Sequence, residues 1–68
     1  MLTNEEIERE SDWVLDRQLT IAEENLRVMN HRGQQETYEY KATLSYKGRI
    51  RAEIAKRHPY GFPPVLLV

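Results

Sequence analysis

Cysteine is missing from this 68-residue chain, which excludes disulfides, thiolate metal sites and a cysteine nucleophile. Long apolar runs are missing too. No stretch approaches the ~18 residues of a transmembrane helix, and residues 1–20 lack a basic start followed by an apolar core. A cytoplasmic protein without membrane contact is the expectation. The sequence has no glycine-rich phosphate loop, no nucleophile–base pair and no histidine–carboxylate set at ligand spacing, so no catalytic residue, cofactor or metal is assigned. Glycine and proline number three each and act as punctuation.

A chain of 68 residues makes one small domain, residues 1–68. At this size only about 60% of the unfolded surface is buried, and the fold is marginal unless something braces it. The net charge of −1 hides an uneven distribution. Residues 1–30 carry eight acids and three bases, whereas residues 31–68 carry three acids and seven bases. Attraction between the two halves within the fold explains this more simply than a nucleic-acid footprint, which goes with a domain that is basic overall.

Leu2-Thr3-Asn4-Glu5-Glu6-Ile7 has the form of a helix start. Thr3 is the cap, Glu6 completes a capping box, and Leu2 and Ile7 form the hydrophobic staple. Glu5, Glu6 and Glu8 suit the positive end of the helix dipole. The apolar residues Ile7, Val14, Leu15, Leu19, Ile21, Ala22, Leu26, Val28 and Met29 then fill about half the helix circumference, more than the ~100° stripe of a surface helix. Ser11, Gln18 and Asn25 interrupt that stripe and argue against a coiled coil. Trp13 lies off the stripe. Gly33 suits the left-handed residue after the cap, and the pattern predicts a single helix over residues 3–32.

Beyond Gly33 the pattern changes. Tyr38, Tyr40, Ala42 and Leu44 alternate with polar residues, as do Ile50, Ala52 and Ile54. Period two predicts strands at about 36–45 and 49–57. A three-residue loop, Tyr46-Lys47-Gly48, pairs Leu44 with Ile50 and Lys41 with Glu53 and puts Gly48 at positive φ. Pro59, Pro63 and Pro64 end the second strand, and Val65–Val68 reads as a short third strand. The expected fold class is α+β, a long N-terminal helix packed on an antiparallel hairpin.

The order helix, hairpin, proline-rich corner, strand resembles the first half of the ubiquitin-conjugating-enzyme-like fold, which includes RWD domains. The residues that carry the likeness are His58-Pro59-Tyr60-Gly61-Phe62-Pro63-Pro64-Val65, with His58 where the family usually has tyrosine. The catalytic cysteine and the C-terminal helices of that family have no counterpart here. The resemblance therefore implies an amino-terminal fragment or a reduced relative whose role is interaction, not conjugation.

The leading functional expectation is a non-catalytic protein-interaction module that self-associates as a homodimer or takes a protein partner. Leu15, Leu19 and Leu26 at one edge of the helix stripe, with Val65, Leu66 and Leu67, form the expected contact surface. The alternative is nucleic-acid binding by the outer hairpin face, through Lys41, Lys47, Arg49, Arg51 and Arg57. Glu39 and Glu53 on that same face count against it. An enzyme ranks third, because nothing selects a catalytic pair.

Overall fold

The computed structural model describes residues 1–61; the expected strand at 65–68, with Val65, Leu66 and Leu67, lies outside the described residues. The elements are α1 (Asn4–Arg9), α2 (Asp12–His31) and α3 (Tyr38–Arg57). Among the described residues there is no strand, so the α+β expectation is corrected to an all-helical arrangement.

The helix start is as the sequence implied. Thr3 Oγ1 accepts the Glu6 N–H at 3.2 Å, and Glu6 Oε1 accepts the Thr3 N–H at 2.9 Å. The capping box is complete. Leu2 packs against the core and Ile7 is buried. The single helix over 3–32 is not found. Glu10 and Ser11 are extended, with ψ of 156° and 157°, and Ser11 Oγ accepts the Val14 N–H at 3.3 Å to start a second helix. Ser11 is thus a cap between two helices, not a polar interruption in one.

The end of α2 obeys its local code. The Gly33 N–H donates to Asn30 O at 3.1 Å and the Gln34 N–H to Met29 O at 2.8 Å, with Gly33 at φ +69°. These two bonds are the Schellman pair, and they need a residue without Cβ strain at Gly33. Thr37 then caps α3. Its hydroxyl donates to Gln34 O at 2.7 Å and accepts the Tyr40 N–H at 3.2 Å.

The hairpin is the main correction. The residues assigned to both strands and to the turn form one helix of 20 residues. Gly48 lies within it and is not among the glycines at positive φ. No Leu44–Ile50 or Lys41–Glu53 strand pairing exists. The same sequence carries a second period: Tyr40, Thr43, Tyr46, Ile50, Ile54 and Arg57 recur at three and four, and all six are buried or half-buried. Two of them are polar, which hides the helical stripe from a reading of apolar residues alone. Ala42, Leu44, Lys47, Arg49, Arg51, Ala52, Glu53, Ala55, Lys56 and Arg57 are strong helix formers. A helix also closes its own backbone hydrogen bonds, whereas a two-stranded hairpin is marginal in water.

The core is small. Ile7, Leu15, Ala22, Tyr46 and Ile50 form it, with Leu2, Leu19 and Ile54 packed around them. Leu15 and Ile50 are fully buried. The Tyr46 hydroxyl donates to Gln18 Oε1 at 2.7 Å and accepts the Leu2 N–H at 3.1 Å, tying all three segments together. The buried Thr43 hydroxyl donates to Glu39 O at 2.7 Å and so needs no outside partner. The helix–hairpin–corner–strand order behind the resemblance to ubiquitin-conjugating-like domains is not the order found. Pro59 and Tyr60 form a turn closed by the Gly61 N–H on His58 O at 2.9 Å.

Candidate functional site

Helices α2 and α3 pack against each other, and α1 lies against only one end of the pair. The two ends therefore differ in chemistry. At the closed end Arg57, from the last turn of α3, reaches across to the end of α1. Its Nη2 donates to Ile7 O at 3.1 Å and Glu8 O at 2.8 Å. Its Nη1 donates to Glu10 O at 2.6 Å and Asp12 Oδ1 at 3.1 Å. Its Nε donates to Glu53 Oε2 at 2.8 Å. A guanidinium has five N–H donors, and all five are engaged. Three go to carbonyls that a helix end and the following link leave without backbone donors. Arg57 is therefore a brace for the α1–α2 corner and is removed from the expected nucleic-acid face.

Charge follows the same geometry. Asp12 Oδ2 lies 2.5 Å from His58 Nε2. The hydrogen bond from His58 and then that from Arg57 hold the Asp12 carboxyl below its usual range. Glu53, hydrogen-bonded to Arg57, pushes the guanidinium pKa up. This cluster resembles an acid–base pair on paper. His58 and Arg57 hold Asp12 as the ion, so the cluster serves as a corner brace.

The open end has the opposite character. Met1, Asn25, Val28, Met29, Tyr38, Glu39, Ala42 and Thr43 line a groove of about 640 Å³ between α2 and α3. A second hollow of about 200 Å³ continues it past Met1 to Gln18, Ile21 and Tyr46. Tyr38 is 81% exposed, Met1 75% and Val28 49%. Ile21 is exposed as well. No residue of the six-residue α1 lines either hollow.

The expected contact residues are redistributed. Leu15 and Leu26 are buried, and Leu19 packs on the core. They are packing residues, so part of the half-circumference stripe is covered. The open apolar surface is built from Val28 and Ile21, which the stripe contained, and from Met1 and Tyr38. Tyr38 belongs to the apolar alternation of the expected first strand, whereas as the first residue of α3 it is exposed. Trp13 is 61% exposed, with the Arg17 guanidinium 5.7 Å from its ring centroid.

Lys41, Arg49 and Arg51 are exposed on α3 and Lys47 is half-buried. No helix among the described residues is long and apolar enough to cross a membrane. No protein-family model, curated protein or solved structure matches the chain.

Proposed function

We propose that this chain is a non-catalytic protein-interaction module that pairs with a second copy of itself through the open end of its α2–α3 face. The exposed apolar groove around Met1, Val28 and Tyr38 carries this reading. Leaving a side chain of this size wet forgoes roughly 1.5–3 kcal/mol of burial. That matters in a domain whose core rests on so few residues. Two antiparallel helix pairs joined face to face about a two-fold axis make a four-helix bundle, and Met1, Val28 and Tyr38 of both copies are then covered.

Sedimentation equilibrium over a concentration series tests the proposal. A dimer is expected, and Val28→Lys or Tyr38→Ala should shift it to monomer while the helical circular dichroism is retained. A folded monomer at high micromolar concentration overturns self-pairing. Leu19→Lys is not suited to this test, because Leu19 packs against the core and its loss reports on folding.

A further inference from the structure

A second surface, on α3, is rich in cations. Met1 and Tyr38 of the groove border it at Lys41, Ser45 and Arg49, and Glu8 of α1 and Glu23 of α2 stand at its flanks. On the outward side of α3, Lys41, Ser45, Gly48, Ala52 and Ala55 recur at four, three, four and three, and all are exposed. They form one straight strip. Arg49 and Lys56 flank it on one side, and Lys47 and Arg51 on the other. Lys41 pairs loosely with Glu36 at 3.9 Å, both side chains being well exposed. Lys47, Arg49, Arg51 and Lys56 make no ion pair among the described residues. The two acids of α3 are elsewhere. Glu53 is turned inward to Arg57 with its side chain 11% exposed, and Glu39 lines the apolar groove.

We propose that this face of α3 docks in the major groove of duplex DNA. A helix with its side chains is about 10–12 Å across, and the B-form groove is about 12 Å wide. Small residues along the centre strip let the helix axis approach the bases. Cations on both flanks then lie toward the phosphates of both strands. From Lys41 to Lys56 the face runs about 22 Å at 1.5 Å per residue. A protein partner would call for apolar anchors along this face; between Lys41 and Lys56 the exposed large apolar side chain is Leu44, and Met1 and Tyr38 stand only at its border by Lys41. The deep, narrow major groove of A-form RNA does not admit a helix, so the proposal is specific to B-form DNA. The two acids that weaken a basic strand face have no such effect here, because the helix turns both away.

The test is fluorescence anisotropy of a labelled mixed-sequence duplex of about 20 base pairs titrated with the intact chain between about 50 and 200 mM salt. With four or so phosphate contacts, log affinity should fall with log salt at a slope of about −4. The variant Lys47→Ala, Arg51→Ala, Lys56→Ala leaves the groove lining intact. It should bind at least about tenfold more weakly at the low-salt end, with a slope shallower by two to three. Gly48→Leu keeps every charge, and no atom lies within 4 Å of the added Cβ. It should weaken duplex binding by about tenfold, because a bulky strip holds the helix off the bases. No binding at low salt overturns the proposal. So does equal binding of polyglutamate, which would mark the face as a site for acidic proteins, and so does equal binding of duplex RNA. Because these variants spare Met1, Val28 and Tyr38, pairing and DNA binding fail or succeed independently.

Discussion

The two ends of the α2–α3 pair are built from similar residues and end up with opposite properties. At the closed end a helix of only six residues buries Ile7 against Leu15, Tyr46 and Ile50. Arg57 meets the carbonyls that α1 leaves open. At the other end the same two helices meet only through each other, and Val28, Tyr38 and Met1 stay exposed. Two helices leave a groove along each side, and whether that groove becomes core or surface depends on whether a third element lies in it. A short third helix makes one half stable and leaves the other half available for binding.

The largest effect should come from the core of the closed end. Leu15→Ala is expected to cost about 3 kcal/mol, because Leu15 is fully buried and leaves a cavity. Val28→Ala at the open end should change monomer stability by less than about 0.5 kcal/mol. Urea denaturation of both at low protein concentration measures the contrast, and equal losses would abolish the distinction between the ends.

Next in size is the brace. Arg57→Ala leaves Ile7 O, Glu8 O and Glu10 O without their donor and should cost about 2 kcal/mol. Hydrogen exchange should show α1 losing protection first while the loop end of α2–α3 keeps it. Uniform loss across the three helices would mean that the corner is not a local unit.

The glycines give effects of opposite sign. Gly33→Ala forces a Cβ into φ +69° and should destabilise the α2–α3 link by about 1 kcal/mol. Gly48→Ala lies mid-helix with open space around the added Cβ. It should stabilise α3 by roughly 0.5–1 kcal/mol. A turn at Gly48 would reverse that sign, so thermal melts of this variant test the helix against the hairpin directly.

The smallest effect is in pH. The Asp12 carboxyl titrates below its usual value in the folded chain. Its contribution is therefore fully present above about pH 4, near the unfolded value, and is lost as pH falls through the depressed native value. Glu6 is lowered in the same direction, by the Thr3 backbone N–H and then its hydroxyl. Asp12→Asn should flatten part of the acid limb of a stability–pH profile and leave the Glu6 part. An unchanged profile would mean that His58 and Arg57 do not hold the carboxylate in solution.

Local chemistry was legible in the sequence wherever neighbours within four residues decide the outcome. Thr3, Glu6 and Gly33 act as their residue types dictate, because caps and left-handed turns are closed by nearby backbone groups. Ser11 and Thr37 carried the same kind of signal, each a capping residue followed by an acid in the next two positions. Both escape notice when apolar periodicity leads the reading. Residues 38–57 satisfy period two in their apolar residues and period 3.6 in their buried ones. The polar members of the buried set are Thr43, which bonds to its own helix, and Arg57, whose acceptors lie up to fifty residues away. Only the packed chain brings those acceptors to the guanidinium, makes its burial favourable and thereby fixes the helix. The sequence by itself thus determined the start of α1 and the end of α2, but not the break at Glu10–Ser11 that separates them. The tertiary contacts decided that the remainder is a helix, that Leu15 and Leu26 are core, and that Val28 and Tyr38 are surface, because burial depends on what lies opposite a side chain and not on its own polarity.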